Sequence, residues 1–343
     1  MPSLLDAPTT PKHVALVLNP ASGSEGASIR RARLVKAART AKISDMVIET
    51  HPKEGAAPAV RAALREGAER IVVSGGDGTL AQAAGELAGT KVVLGVSPSG
   101  TANLFALNMS LPSDPDEALA LALNAPARSV DVGWANGRAF LVMAGLGADA
   151  QVVRDAKRRK KRFLGVLAYL LGGWRMVMDG QARYTVSIDG VTLRRRAKTV
   201  LVANLGRLPA GAVLVPDTNA EDGLLEVAII RAWSVPQMVR VVARALAGRP
   251  ANDNLLEVHR GQQITVRCSR PRPMHLDGED AGSTTLLEAH VDPGALGVAL
   301  PPASGGPSAA SPTFGSLRSL RATTLPWLPF REKRHRRRVL ARA

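Results

Sequence analysis

Cysteine and aromatic residues are scarce: Cys268 stands alone, and Phe, Trp and Tyr together make up 3% of the 343 residues. A single cysteine excludes an intramolecular disulfide framework and a cysteine-rich zinc site. Cys268 reads as a core thiol. No uninterrupted apolar run is long enough to cross a bilayer as a helix. The opening residues, MPSLLDAPTT, have neither a positive n-region nor an apolar h-region. No signal peptide is therefore evident, and a cytoplasmic location is expected. There is also no G-x-x-x-x-G-K-[ST] sequence and no protein-kinase catalytic loop. Any phosphate bound by this chain is bound by another route.

Positive charge, by contrast, is abundant and concentrated. The net charge is +16; residues 154–162 carry seven positive and one negative charge, and residues 318–343 carry nine positive and one negative. These two segments supply +6 and +8, so the rest of the chain is nearly neutral. Such patches suit an anionic partner, either nucleic acid or an anionic membrane, with a solvated face or tail as the plain alternative. Aromatic side chains for base stacking are few, so nucleic acid is not the expected partner.

Residues 12–128 alternate short apolar runs with helical stretches. Val14–Leu18 ends in Asn19-Pro20-Ala21-Ser22-Gly23, Ile71–Val73 leads into Gly75-Gly76-Asp77-Gly78-Thr79, and Val92–Val96 ends at Pro98-Ser99-Gly100-Thr101. Helices are expected over Ile29–Ala41, Val60–Glu66, Leu80–Leu87 and from about Ala102, with a further strand at Met46–Glu49. The alternation predicts an α/β domain with a parallel sheet. Ligands of such sheets bind beyond the carboxyl ends of the strands, where all three glycine-containing turns fall. From residue 129 to 300 the pattern becomes hairpins: Asn136-Gly137 lies between Val130–Trp134 and Ala139–Ala144, and Asp189-Gly190 between Tyr184–Ile188 and Val191–Arg195. An antiparallel β-sandwich is expected there. Residues 301–343 read as a Pro/Ser/Gly/Ala linker followed by the basic tail.

The Gly75–Thr79 turn is the strongest local signal. Its three glycines permit close backbone approach, and the N–H groups at the start of the next helix make a nest for phosphate. Asp77 adds a carboxylate that can meet a metal ion or a hydroxyl proton.

Taken together, the Asn19–Gly23, Gly75–Thr79 and Pro98–Asn103 motifs resemble the diacylglycerol kinase catalytic-domain family, over roughly residues 12–300. That family includes bacterial diacylglycerol kinases, sphingosine kinases and ceramide kinases. The resemblance implies ATP and Mg²⁺ as cofactors, a lipid as substrate, and a nucleotide bound between an α/β domain and a β-sandwich. It implies nucleotide contacts at Asn19, Gly23, Thr50, Gly75, Gly76, Asp77, Gly78, Thr79, Thr101 and Asn103. Leu104 stands where the family often has Asp, and Ala81-Gln82 where it usually has Asn-Glu.

In the second domain, Leu276-Asp277-Gly278-Glu279 resembles the family's late catalytic motif, which implies Glu279 as the general base. If residues 275–279 are extended, His275, Asp277 and Glu279 share one face; a β-turn at Asp277-Gly278 is the alternative. Asp149 matches the aspartate that sphingosine kinase relatives use to orient the lipid head group. Residues 217–224 resemble the family's structural Mg²⁺ loop, with Asp222 giving a carboxylate and Asn219 and Leu224 backbone oxygens. An Asp-Gly turn is the competing reading. Apolar stretches at 163–178 and 325–330 adjoin the two basic segments, an arrangement that would hold a peripheral protein to an anionic membrane.

Overall fold

The computed structural model describes residues 11, 13–23, 25–41, 46–147, 180–208, 212–248 and 253–301. Asp149, the basic segments 154–162 and 318–343, and the apolar stretches 163–178 and 325–330 lie outside the described residues.

Val14–Leu18 (β1), Met46–Glu49 (β2), Arg70–Gly75 (β3) and Val93–Pro98 (β4) form a parallel sheet in the order β4-β3-β1-β2. Ala27–Thr40 (α1), Ala57–Arg65 (α2) and Asp77–Leu87 (α3) make the crossovers. β1 and β3 are buried along their whole length, which is why they read as unbroken apolar runs rather than alternating ones. The helix expected near Ala102 starts two residues later and is short, Leu104–Asn108 (α4); Pro115–Asn124 (α5) follows as a separate helix. Asp114 caps α5, its Oδ1 accepting from the N–H groups of Asp116 (3.0 Å) and Glu117 (2.9 Å). At the other end, the buried Arg70 guanidinium donates to the Ala122 and Ala125 carbonyls at 3.0 and 2.8 Å. An arginine opening a buried strand is thus satisfied by the orphan carbonyls of a helix C-terminus.

The second half is antiparallel. Its strands are Ala127–Ala135 (β5), Arg138–Phe140 (β6), Met143–Gly147 (β7), Ala182–Ile188 (β8), Val191–Ala197 (β9), Thr199–Ala203 (β10), Leu225–Ile230 (β11), Leu256–Gly261 (β12), Gln263–Leu276 (β13) and Glu279–Ala299 (β14). Val235–Leu246 (α6) lies between β11 and β12. The order β12-β11-β10-β7-β13-β14 continues into β4, while β8 and β9 extend from β13, and β5 and β6 from β14. Asn136-Gly137 and Asp189-Gly190 sit in left-handed backbone, at φ 49° and 74°, and 47° and 87°, as tight hairpins require. Tyr184, Val186, Val200, Val227, Val266 and Leu287 form part of the core enclosed here. The last strand links the two halves: β14 pairs with β13 and β5, and its Val298 lies beside Leu94 of the parallel sheet.

Candidate active site

The three glycine-containing turns of the parallel sheet meet in space, because each closes on another's backbone. A methyl group on Gly23, whose φ is 78°, would fall 2.3 Å from the Ser99 carbonyl oxygen. One on Gly100 would fall 2.7 Å from the Gly76 Cα. No larger residue permits these two approaches, so Gly23 and Gly100 are requirements of one packed unit. Asn19 joins them: its Nδ2 donates to Thr79 Oγ1 (2.8 Å), and its Oδ1 accepts from the Ala21 N–H (3.0 Å). Thr50 is buried beside the first turn, where its N–H donates to the Leu18 carbonyl (2.9 Å). Asn103 stands at φ 46° with its Oδ1 accepting from the Gly100 N–H (2.7 Å); Thr101 is exposed in the same turn. Gln82, where the family usually has a glutamate, accepts from the Ala56 N–H through its Oε1 (2.7 Å).

Asp77 opens α3 and reaches across to α4. Its Oδ2 accepts from the Leu104 N–H (3.0 Å) and its Oδ1 from the Phe105 N–H (2.9 Å). The carboxylate therefore caps the helix at which the third motif departs from the family, and Leu104 takes part through its backbone. Burial pushes the Asp77 carboxyl above its usual range, the two N–H donors pull the other way, and the Glu279 charge pushes it further up.

From the opposite half comes the β13–β14 hairpin. Asp277 and Gly278 have φ values of 45° and 75° and form its two-residue turn, so residues 275–279 do not run on as one strand. The shared face of His275, Asp277 and Glu279 is replaced by a β-turn that aims Asp277 and Glu279 differently. Asp277 is buried, and its carboxylate accepts from three successive N–H groups: Leu141 (2.8 Å), Val142 (2.9 Å) and Met143 (2.8 Å). Leu141 and Val142 break the strand expected over Ala139–Ala144 into β6 and β7, since their N–H groups serve a side chain and not a ladder. Burial lifts the Asp277 carboxyl to about 7 against the pull of its three donors. Glu279 opens β14, and a methyl on Gly78 would fall 2.2 Å from its Cδ. The Glu279 carboxyl thus rests against the glycine turn that begins α3.

The 217–224 segment forms a compact turn. Asn219 Oδ1 accepts from the Glu221 N–H (3.2 Å), the Asn219 carbonyl from the Asp222 N–H (3.4 Å), and Asp222 Oδ1 from the Leu224 N–H (3.1 Å). Asp131, buried in β5, ties the turn down: its two oxygens accept from the N–H groups of Gly223 and Gly294, each at 2.7 Å. Arg260 donates to the Asp217 carbonyl (2.6 Å) and lies 3.9 Å from Asp222 Oδ2. Among the described residues no three His, Cys, Asp or Glu side chains cluster as metal ligands. One carboxylate with backbone carbonyls is nevertheless a donor set that a hard, water-bearing cation accepts, in competition with the Arg260 guanidinium.

The sequence does not single out Arg30 from its arginine neighbours. Although α1 carries it in an arginine-rich run, it is buried, and it donates to Ser99 Oγ (3.0 Å) and to the Asn19 and Pro20 carbonyls (3.0 and 3.2 Å). It ties the first turn to the third. Next to Arg30 a cavity of about 200 Å³ opens between Gly23, Ser74, Ser99, Gly100 and Asn103. Glycine backbones, a helix N-terminus and a fixed cation at one place suit a polyphosphate.

Two families of known proteins match the chain: the diacylglycerol kinase catalytic domain over residues 13–135, and the YegS C-terminal NAD kinase beta sandwich-like domain over residues 142–300. A diacylglycerol kinase of Bacillus subtilis (strain 168) is 29% identical over 279 residues, spanning 79% of this chain and 91% of that protein. A Pseudomonas fluorescens protein named "Probable lipid kinase YegS-like" is 35% identical over 246 residues, spanning 71% of this chain and 81% of its own length. The crystal structure of a diacylglycerol kinase from Bacillus anthracis str. Sterne shares the fold, with a TM-score of 0.66 at 20% identity, over 86% of this chain and 99% of that one.

Proposed function

The chain belongs to the diacylglycerol kinase catalytic-domain family, and from that premise we propose how it works as a lipid kinase: it moves the γ-phosphoryl group of ATP to a hydroxyl of a membrane lipid, with Glu279 as the base. The carrying observation is the contact of the Glu279 carboxyl with Gly78, which brings a carboxylate to the N-terminus of α3. Glu279 accepts the proton of the acceptor hydroxyl as its oxygen bonds to the γ-phosphorus, while the bond from that phosphorus to the β-bridging oxygen breaks and ADP leaves.

Asn19, Gly23, Thr50, Gly75, Gly76, Gly78, Thr79, Thr101 and Asn103 are assigned to the nucleotide. Asp77 fixes α4 against the phosphate turn, and Asp149 is assigned to orienting the lipid head group. Mg²⁺ accompanying ATP would neutralise phosphate charge, with Asp77 beside it; a second, structural Mg²⁺ is assigned to Asn219, Asp222 and Leu224. Residues 12–128 are the proposed nucleotide-binding domain, 129–300 the lipid-side domain, and 301–343 a linker and tail. Among the described residues no helix is long and apolar enough to cross a membrane. A peripheral association with an anionic membrane, through segments 154–162 and 318–343, is part of the same reading.

The test is ATP turnover by the purified protein with Mg²⁺ against diacylglycerol, ceramide and sphingoid bases in detergent micelles, with NAD as the competing acceptor. Lipid-dependent turnover with a phosphorylated lipid product is expected. Efficient phosphorylation of NAD with no lipid product contradicts the reading.

A further inference from the structure

Several arginines in this fold meet a carboxylate. Arg195 and Arg231 share Glu257 (2.8 and 2.5 Å), Arg260 lies 2.8 Å from Glu226, and Arg33 pairs with Glu25 (2.6 Å). The outer face of β9, β8 and β13 is different. Arg183 of β8 stands directly opposite Arg196 of β9, and the next row on that face runs Arg194–Thr185–Arg267 across the three strands. All four arginines are exposed, and no described carboxylate forms an ion pair with any of them. By register the nearest acid on this face among the described residues is Glu288, opposite Thr265, one row further along. Like charges facing each other across strands destabilise a sheet unless something neutralises them.

The spacing defines the partner. Rows two residues apart lie about 7 Å apart along a strand, and neighbouring strands about 4.8 Å apart, so the four cations form a lattice on a flat face. Thr185, Ser187, Thr192 and Thr265 stand on the same face and offer hydroxyls among the guanidiniums. A cavity of about 420 Å³ opens at the margin, lined by Gln181, Arg183, Arg196, Ser269 and Arg270. Arg270 belongs to the fold here, since it donates to the Gly180 carbonyl (3.0 Å). No aromatic side chain stands on the outward positions of these strands, so the face has nothing on which bases would stack.

We propose that the outer face of β8, β9 and β13, with Arg183, Arg194, Arg196 and Arg267 at its centre, is a docking surface for an anionic phospholipid bilayer. Guanidiniums bind phosphate oxygens in a forked, two-bond geometry, and a plane of them matches a plane of head groups. The choice of a bilayer rests on the lipid-kinase reading, but docking is measurable without nucleotide or acceptor lipid, so either reading can fail without the other.

The experiment is co-sedimentation of the full-length protein, at low salt and without ATP, with vesicles of phosphatidylcholine alone or mixed with phosphatidylglycerol. The variant R183Q/R194Q/R196Q/R267Q is expected to partition at least ~10-fold less onto the anionic vesicles, given the usual contribution of each basic residue near such a surface. Its activity on micellar lipid should match the parent, and its Tm should equal or exceed it, because the facing Arg183 and Arg196 charges are gone. The matching lysine variant should keep most of the vesicle binding. Unchanged partitioning of the glutamine variant overturns the proposal, as does loss of single-stranded DNA retention with vesicle binding intact. Should the fourfold variant fail to fold, Arg194→Glu alone decides in the same way: weaker vesicle binding supports the surface, and unchanged binding overturns it.

Discussion

The two sides of the candidate site are built by opposite means. On the parallel-sheet side, every functional atom is backbone or lies within a few residues of a glycine, and the turns hold one another by contacts such as Gly23 on Ser99 and Gly76 on Gly100. On the β13–β14 side, Glu279 depends on a hairpin whose turn is held by Asp277 accepting from N–H groups at Leu141, Val142 and Met143, more than 130 positions away in the chain. The first arrangement is local and survives in the sequence as a motif. The second is a long-range node, and one side chain carries most of it. The same device recurs: Asp77 holds the start of α4, and Asp131 holds the 217–224 turn to β14. Aspartates that accept from backbone N–H groups, half-buried at Asp77 and buried at Asp131 and Asp277, connect the parts which glycine turns cannot reach.

If that contrast is correct, substitutions on the two sides fail differently. The largest effect belongs to Asp277→Ala. It leaves three buried N–H donors without partners, at about 1–3 kcal/mol each, or about 3–9 kcal/mol together, a large share of a domain's stability. A Tm fall of more than about 10 °C, or loss of soluble protein, is expected in thermal unfolding; a near-parental Tm would break the comparison. Gly78→Ala should act on chemistry instead. Its methyl displaces only the end of the Glu279 side chain, so Tm should barely move, while turnover on micellar lipid falls roughly 10–10²-fold through misplacement. Parental turnover in that variant would show that the Glu279 contact with α3 is incidental.

A smaller effect concerns the 217–224 turn. Mg²⁺ should raise the Tm over that measured with a chelator, and Asp222→Asn should abolish the difference. Equal Tm values in the parent would mean that Arg260 and the turn's own hydrogen bonds suffice. The smallest effect is on pH dependence. Burial first, opposed by the neighbouring Arg260, lifts Glu226 from the usual 4.5 to about 7. The folded state thus holds this proton to higher pH than the unfolded chain. Its contribution to stability is complete below the unfolded value and is lost as pH rises through about 7. Asp277 shifts in the same direction. Tm should therefore decline between mildly acidic and mildly alkaline pH, and Glu226→Gln should flatten the decline; an unchanged slope would remove Glu226 as a contributor.

Much of the fold was legible because its signals are local. Val14–Leu18 shows at its observed bounds because a buried parallel strand is a continuous apolar run closed by a turn, and the half-buried Met46–Glu49 shows as a short apolar run between two helical stretches. Both Asx-Gly hairpins were readable because left-handed backbone restricts the residues that can occupy it. The break at Leu141 and Val142 was not readable, as nothing near those residues announces an acceptor at Asp277. Arg30 was hidden for a related reason: within Ile-Arg-Arg-Ala-Arg, no local feature separates the buried arginine from its solvated neighbours. The Asp277-Gly278 dipeptide allows a turn, but the long-range capping of Leu141–Met143 that accompanies it leaves no local mark.

The central claim is that Glu279, brought to Gly78 by the hairpin, is the base of phosphoryl transfer. The most direct measurement pairs ATP affinity with lipid phosphorylation in Glu279→Gln. Loss of a positioned base should lower turnover by roughly 10²–10⁴-fold, with ATP affinity within severalfold of the parent, because the nucleotide contacts assigned here lie on the other side of the site. Turnover close to the parent's would contradict the account and turn attention to Asp77, both of whose oxygens already accept backbone N–H bonds.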